Sequence, residues 1–589
     1  MNIKARCFTA TVLALLLIPF SVSAQDSSIY WQCPEETANH PGAGTAVNAT
    51  DPEDIFVRKT NLDGSATKCD HLTAGDGITT MADDKEGGLG KRLYIFGFNR
   101  VAAPGETVSS LSHEIVDGVE LPTTAPDVAS GNYPSWVMEQ GTFAANAPAP
   151  TIVMNEDDEF FLNLTNTGMI QRPDLFDPHT VHFHGFPNAS AIFDGLPDAS
   201  IAINMGATLT YYYQPKDAGT YMYHCHVEAT EHMQMGMLGN LFVRPRQDRC
   251  ETFDASYPES MPAQLAALPG QISDAEAAID SYLGSLGNIA PLNSLTPAEL
   301  LAYLNTVYAY VAANPGFNWE TGLGLRNWIR DNIFTTGGNG LRNNQSNRLA
   351  AIFRDGYKSA NDTLVALLDK QAQLPELIAR YEGVPGTTCP AGHTPGVSHY
   401  VYDNDNGSTR YDVEVPIQLG SFDPDFHDAS FSTQALPFAT MRDRYFLLNG
   451  RGYPDTTSTD TLSTVDELGR TQYSQPVNTV IKATPGQRIL LRISNLNVTD
   501  IYTVGVNGLP MQVVGLDARL LQDDDGNDMS YKTNSITIGG GQSADVIIDT
   551  TGMALGQTFF FYTKNLDKLA NDAENLGGMM TEIQIQAPL

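Results

Sequence analysis

Seventeen residues, Tyr221–Met237 (YMYHCHVEATEHMQMGM), hold three histidines, one cysteine and four methionines. Side chains alternate sides along a strand, so a strand over Tyr221–His226 turns His224 and His226 to one face and Cys225 to the other. His232 follows Cys225 by seven residues and Met237 follows His232 by five, in a glycine-containing loop able to fold back on the sulfur. A thiolate with two imidazoles and a distant thioether is the ligand set of a blue-copper electron-transfer centre. For an isolated HxH, a buried free cysteine beside surface histidines is the plainer reading. A second stretch argues against it: PHTVHFHGFPN (Pro178–Asn188) presents His182 and His184 as another i, i+2 pair, with His179 three residues earlier. Two groups are expected: His179, Cys225, His232 and Met237 around one copper, and His182, His184, His224 and His226 around further metal. Imidazole also suits zinc, but the thioether favours copper.

The elements that must position these residues read as short strands. KRLYIFGFNRV (Lys91–Val101), APTIVMNEDDEFFLNLTNTG (Ala149–Gly168), TLTYYYQ (Thr208–Gln214) and GNLFVRP (Gly239–Pro245) are rich in aromatic and β-branched residues and are separated by turns; that spacing indicates a β-sandwich. Residues 25–88, rich in Gly, Asp, Thr and Asn, read as an irregular arm. Between Cys250 and Cys389 the pattern turns helical. Thr296, Pro297 and Glu299 form a capping-box start for a helix over Ser294–Asn314, and Ser346–Gln371 reads as a second long amphipathic helix. This insert has no histidine, and a structural or docking role is expected of it.

Strands return in the last part, where YTVGVNGLP (Tyr502–Pro510) repeats HTVHFHGFP (His179–Pro187) position for position. Tyr502 stands for His179, Gly505 for His182 and Asn507 for His184, and further on Tyr562-Thr563-Lys564-Asn565 matches Tyr223-His224-Cys225-His226. A second domain of the same fold, stripped of its ligands, is expected.

These segments resemble the copper-binding motifs of multicopper oxidases and of their relatives, the two-domain copper nitrite reductases. The HxxHxHG pattern of that family reads as His179, His182, His184 and Gly185, its HCH motif as His224, Cys225 and His226, and its later histidine and axial methionine as His232 and Met237. The resemblance implies a mainly β fold of two cupredoxin-like Greek-key β-sandwich domains. They are a copper-binding domain over 89–248 and a ligand-free domain over 391–589, with an α-helical insertion over 249–390 between them. It implies a type 1 copper on the Cys225 side and a type 2/type 3 copper cluster on the other. The implied enzyme is a copper-dependent oxidoreductase that oxidises a small reductant or metal ion and reduces dioxygen. Asp194, or else Glu228 and Glu231, is a candidate proton relay. Two departures matter. The oxidases usually place the later histidine five residues after the cysteine, not seven; nitrite reductases carry an aspartate where His182 stands and a non-ligand where His226 stands, which leans this chain to the oxidase side. A complete cluster in the family uses eight histidines and these motifs supply four. The expectation is therefore a homo-oligomer (dimer or trimer) or a complementary subunit that completes it. The alternatives are an electron-transfer or copper-handling protein without oxidase activity, and a nitrite reductase-like enzyme.

The chain opens MNIKARCFTATVLALLLIPFSVSAQ, a basic start, an apolar run and a small-residue ending that read as a signal peptide over 1–24 and place the protein as secreted or periplasmic. A formal charge of −34 argues against nucleic acid or an anionic membrane as partner, and no later stretch is long and apolar enough to span a bilayer. Of six cysteines, Cys7 lies in the signal and Cys225 is assigned to metal. The remaining four allow three pairings. Cys33–Cys69 and Cys250–Cys389 are favoured, the second because it brackets the helical segment.

Overall fold

The computed structural model describes residues 28–40, 44–81, 91–107, 115–116, 119–120, 124–284, 296–320, 323–333, 341–465, 471–572 and 574–588. The signal expected over 1–24 lies outside them.

The first unit contains β1 (Gly44–Thr50), β2 (Phe56–Asn61), β3 (Ala66–Met81), β4 (Lys91–Arg100) and the short hairpin β5 (Ile115–Val116) and β6 (Val119–Glu120). After helix α1 (Tyr133–Gly141) come β7 (Ala149–Asn155), β8 (Glu159–Gly168), β9 (His182–His184), β10 (Thr208–Tyr213), β11 (Gly219–His224), helix α2 (Ala229–Met235) and β12 (Leu238–Arg244). One sheet runs β1-β2-β3-β8-β10 with β4 on β3, and the other runs β7-β12-β11-β9. Alternating side chains from both inner faces fill the space between them, among them the fully buried Phe98, Leu162, Phe183 and Tyr223. Phe183 stacks on Tyr213 at 4.0 Å between ring centroids, directly behind the histidines that flank it.

The irregular arm expected over 25–88 is corrected by β1–β3, of which β3, at 16 residues, is central to the first sheet. Its character was hidden because both faces are covered while many of its residues are polar. Asp70 is paired with Arg100 at 2.7 Å, and His71 is held between Tyr133 and Thr165, each at 2.8 Å. Buried polar groups so satisfied cost little, yet they erase the apolar alternation by which a strand is read.

The helical segment comprises α3 (Met261–Gly284), α4 (Pro297–Ala313), α5 (Leu323–Asn332), α6 (Leu341–Ile352) and α7 (Lys358–Arg380), with a core of its own around Leu304, Val307 and Phe353. The capping box of Thr296 and Glu299 forms as expected. The single helix expected over Ser346–Gln371 is broken at Gly356, whose φ of +153° and contact with Tyr282, where an added Cβ would lie 2.0 Å from the hydroxyl, admit only glycine. Both disulfides pair as favoured, Cys33–Cys69 and Cys250–Cys389.

The second unit is again two packed sheets, of seven and five strands, around Ile493, Val504, Val546 and Phe561. It also carries α8 (Pro424–Phe431). Both units are two-sheet β-sandwiches. They meet through buried polar contacts: Thr220 Oγ1 donates to Asp545 at 2.5 Å and Ser494 Oγ to Asn240 at 3.0 Å.

Candidate metal centre

β9 and β11 run antiparallel with His182 opposite His224, Phe183 opposite Tyr223 and His184 opposite Met222. Directly opposed residues share a face, so this register stacks the two histidine pairs. His182 lies 5.3 Å from His224 and 5.1 Å from His226 between ring centroids, and His184 lies 5.5 Å from His224. His224 is buried; the other three rings are half-buried. The His182 Nδ1 sits 2.6 Å from the Asp194 carbonyl and the His224 Nδ1 2.8 Å from the Cys225 carbonyl. Those contacts place the N–H on Nδ1 and leave each Nε2 unprotonated, the His224 Nε2 lying 3.4 Å from His184 Nδ1. Burial pushes the His224 imidazole down to about 3 and, with the neighbouring rings, lowers His184; it also lowers His182 against the pull of Asp194. Neutral rings with free lone pairs are the ligand form.

Cys225, past the end of β11, turns to the opposite side. Its Sγ lies 3.2 Å from His232 Nδ1 and 3.8 Å from His179 Nδ1, and all three residues have no exposed surface. His179 is set by an antiparallel bridge to Ile203, and His232 by α2, which takes up the longer spacing from the cysteine. Burial alone pushes a thiol up; here the His232 and His179 rings outweigh it and hold Cys225 well below the usual range. Burial likewise lowers His232, but the thiolate and Asp177 raise it to about 10. A buried thiolate whose only compensation is protonated imidazole is a site where a metal cation replaces the proton, so the residues fit a copper. Met237 and Met235 are both fully buried in the same core; Met237 is the one whose carbonyl accepts from the Cys225 amide, at 3.2 Å.

The predicted residues thus fall into two adjoining groups. Asp194 touches the four-histidine group mainly through its backbone, with its carboxylate 3.6 Å from His182 Nδ1. Glu228 and Glu231 do not reach that group: Glu228 is exposed at the start of α2, and Glu231 interacts with His232 and Asp177 on the cysteine side, so neither is placed as a relay to the four histidines. Sequence reasoning missed Asp177, whose carboxylate lies 3.8 Å from His232 Nε2; an acid two residues before His179 was the available signal. It also missed Gly541 of the second unit, where an added Cβ would lie 2.7 Å from His184 Nε2. His393 and His399 lie elsewhere, against Glu251 and Asp248.

The second unit's register corrects one correspondence. Gly505 pairs with Tyr562 where His182 pairs with His224, and Val506 pairs with Phe561 where Phe183 pairs with Tyr223. Thr563, not Lys564, therefore stands for Cys225, and its amide donates to Met579 at 3.1 Å just as Cys225 donates to Met237. The Met579 amide in turn donates to the Lys568 carbonyl as Met237 does to His232, so Lys568 stands for His232. Its ammonium lies 4.8 Å from the Tyr502 ring centroid, 5.1 Å from Phe446, and pairs with Asp500. A tethered cation stands at the position that corresponds to the candidate metal group of the first unit.

Family models described as multicopper oxidase match residues 133–248 and 418–579, the two stretches that hold the histidine motifs and their ligand-free repeat. Both stretches are multicopper oxidase domains. Family members bind type 1, type 2 and type 3 copper. Curated relatives include the laccase abr2 of Aspergillus fumigatus, 32% identical over 123 residues (20% of this chain, 19% of that protein). An L-ascorbate oxidase of Cucumis sativus is 34% identical over 112 residues (18% and 17%). A copper-containing nitrite reductase of Alcaligenes xylosoxydans is 28% identical over 183 residues (29% and 51%). The matched segment thus spans 19% or less of the length of the laccase and ascorbate oxidase relatives. Among solved structures, the blue copper oxidase of Nitrosomonas europaea aligns over 87% of this chain and 85% of its own, with a TM-score of 0.41 and 15% identity.

Proposed function

We propose that this chain is an exported copper oxidoreductase that oxidises a small reductant or metal ion on the cysteine side and reduces dioxygen at the four-histidine face. One observation carries the reading: Cys225 belongs to one group while His224 and His226, its neighbours on either side, belong to the other, so a single backbone segment joins the two. Copper held by His179, Cys225, His232 and Met237 would supply one-electron transfer, and copper at His182, His184, His224 and His226 would supply oxygen chemistry.

The chain's own residues do the rest. The Cys225 backbone is the shortest covalent path between the groups. The fully buried walls around the sulfur exclude water, while the half-buried rings of His182, His184 and His226 leave the other face open. His232 Nε2 is buried and lies 3.8 Å from the partly exposed Asp177, the side on which the reductant docks. Asp194 holds the His182 ring through its carbonyl, and its carboxylate, 3.6 Å from His182 Nδ1, is the candidate group for relaying protons to that face.

Four histidines are half of the family's cluster, and the second unit offers Gly505, Asn507, Tyr562 and Lys564 at the matching positions, none able to replace an imidazole. The other half is supplied by a second copy or by a different copper-bearing chain. Copper content, visible absorption, solution mass and oxygen uptake of the purified protein with phenols, Mn(II), Fe(II) and Cu(I) test the proposal. An oxidase gives a thiolate-to-copper band, more than one copper per chain and oxygen uptake. One copper without oxygen uptake makes it an electron carrier, and nitrite turnover without oxygen uptake makes it a reductase.

A further inference from the structure

The copper loop is held from outside its own domain. The seven-residue spacing between Cys225 and His232 is taken up by α2, a single short helix entered at Glu228 (φ +46°) and left at Gly236 (φ +117°), both left-handed. A helix of two turns has little stability by itself. Residues two apart on a helix point to opposite sides, so when His232 faces Cys225, Gln234 faces away, toward the second unit. There the buried His427 of α8 places Nε2 3.0 Å from the Gln234 carbonyl, and the Gln234 side chain donates to Asp443 Oδ1 at 3.1 Å. The other nitrogen of His427 lies 2.6 Å from the Tyr94 carbonyl in β4, two residues before Phe96, whose ring meets His232 at 5.7 Å. One buried ring of α8 is thus wedged between α2 and β4, and, having a single N–H when neutral, it donates to one of the two carbonyls while the other closes on its second nitrogen.

Both clamping residues are themselves fixed. His427 lies in α8, whose first turn is capped by Asp423, and its ring packs on Phe422 at 4.8 Å. The second oxygen of Asp443 accepts from Ser421, Thr499 and Asn497. The fit is close. At Gly236, one residue before Met237, an added Cβ would lie 2.9 Å from the Phe96 carbonyl and 3.7 Å from Phe422.

We propose that the ligand-free second domain serves as the clamp of the type 1 copper loop, with His427 and Asp443 as positioning residues that set how His232 and Met237 meet the copper. This rests on copper binding at His179, Cys225 and His232, and it assigns the second domain a role that its loss of ligands leaves open.

The test uses the copper-loaded full chain and its His427→Phe, His427→Gln and Gln234→Met variants. Three readouts are taken: the position and intensity of the thiolate-to-copper absorption, the copper hyperfine splitting in electron paramagnetic resonance, and the reduction potential. His427→Phe keeps the ring's bulk and removes its polar contacts; the clamp predicts a displaced band, an altered splitting and a shifted potential with copper still bound. His427→Gln, which keeps a donor, returns all three toward the parent values. Gln234→Met cuts only the Asp443 contact and shifts the same readouts to a smaller extent, so the inference stands or falls on it even if His427→Phe does not fold. Spectra and potential unchanged in Gln234→Met and His427→Phe, with only the unfolding midpoint lowered, overturn the clamp and leave a structural contact. A parent chain that binds copper without a thiolate band overturns the copper reading instead.

Discussion

The amide of Thr563 donates to the carbonyl of Met579 at 3.1 Å, in the same place in the second sandwich as the bond from Cys225 to Met237 in the first. That pairing identifies Lys568 as the counterpart of His232, a proposed copper ligand, with its ammonium set between the rings of Tyr502 and Phe446. Lys568→Met keeps the stem and removes the charge. The expected loss is about 1–2 kcal/mol, the range for a desolvated cation over aromatic faces, read from urea unfolding. A variant as stable as the parent would contradict the view that the cation stands in for metal.

Gly541 is where the second domain touches the four-histidine face. It has φ +83° and no room for a Cβ beside His184. Gly541→Ala is expected to destabilise the fold by about 1–2 kcal/mol through backbone strain and to displace His184. The measurement is copper content against the intensity of the thiolate-to-copper band. The band should persist while the copper in excess of it falls.

Much of this was legible in the chain and some was not, for physical reasons. The spacing of His179, His182 and His184 and the alternation around Cys225 suffice to divide the ligands into two groups, because strand geometry fixes which neighbours share a side. The fold class follows from the same strands. β3 escaped because its buried polar residues, such as Asp70 and His71, are satisfied by partners distant in sequence. The match of Tyr562 to Tyr223 followed residue identity, whereas pairing places Phe561 there; a shift of one residue reverses every side chain, and only the register reveals it. His427 and Asp443 carry no local motif at all, since their role comes from contact with a different domain.

The Cys250–Cys389 bridge closes a loop of 139 residues around the helical segment. In the chain-entropy treatment such a cross-link contributes about 5 kcal/mol. The double Cys250→Ser, Cys389→Ser variant should lose up to that amount in chemical unfolding, with the thiolate-to-copper band intact in the folded protein.

Stability should also depend on pH through His40. Its ring, buried between Asp63 and Glu159, is pushed down by burial but raised further by the two carboxylates, to about 9 from 6.5. The contribution of a raised histidine is complete below pH 6.5 and is lost as pH climbs through about 9. Glu159 runs the other way. Burial raises it, but hydrogen bonds from His40, Thr37 and Tyr212 bring it down to about 2, so its contribution is complete above pH 4.5 and disappears as pH falls toward 2. Unfolding midpoints should therefore peak between these limits, and His40→Leu should flatten the alkaline side. A midpoint that does not fall between pH 6.5 and 9 would falsify the assignment.

The central claim is that Cys225 holds copper with His179 and His232 and links that copper to the histidine face behind it. The direct measurement is visible absorption and copper content of the parent chain beside Cys225→Ser. The account predicts an intense thiolate-to-copper band in the parent, its disappearance in the variant, and retention of copper at the four histidines. A variant that keeps the band, or a parent that never shows it when loaded with copper, contradicts the account.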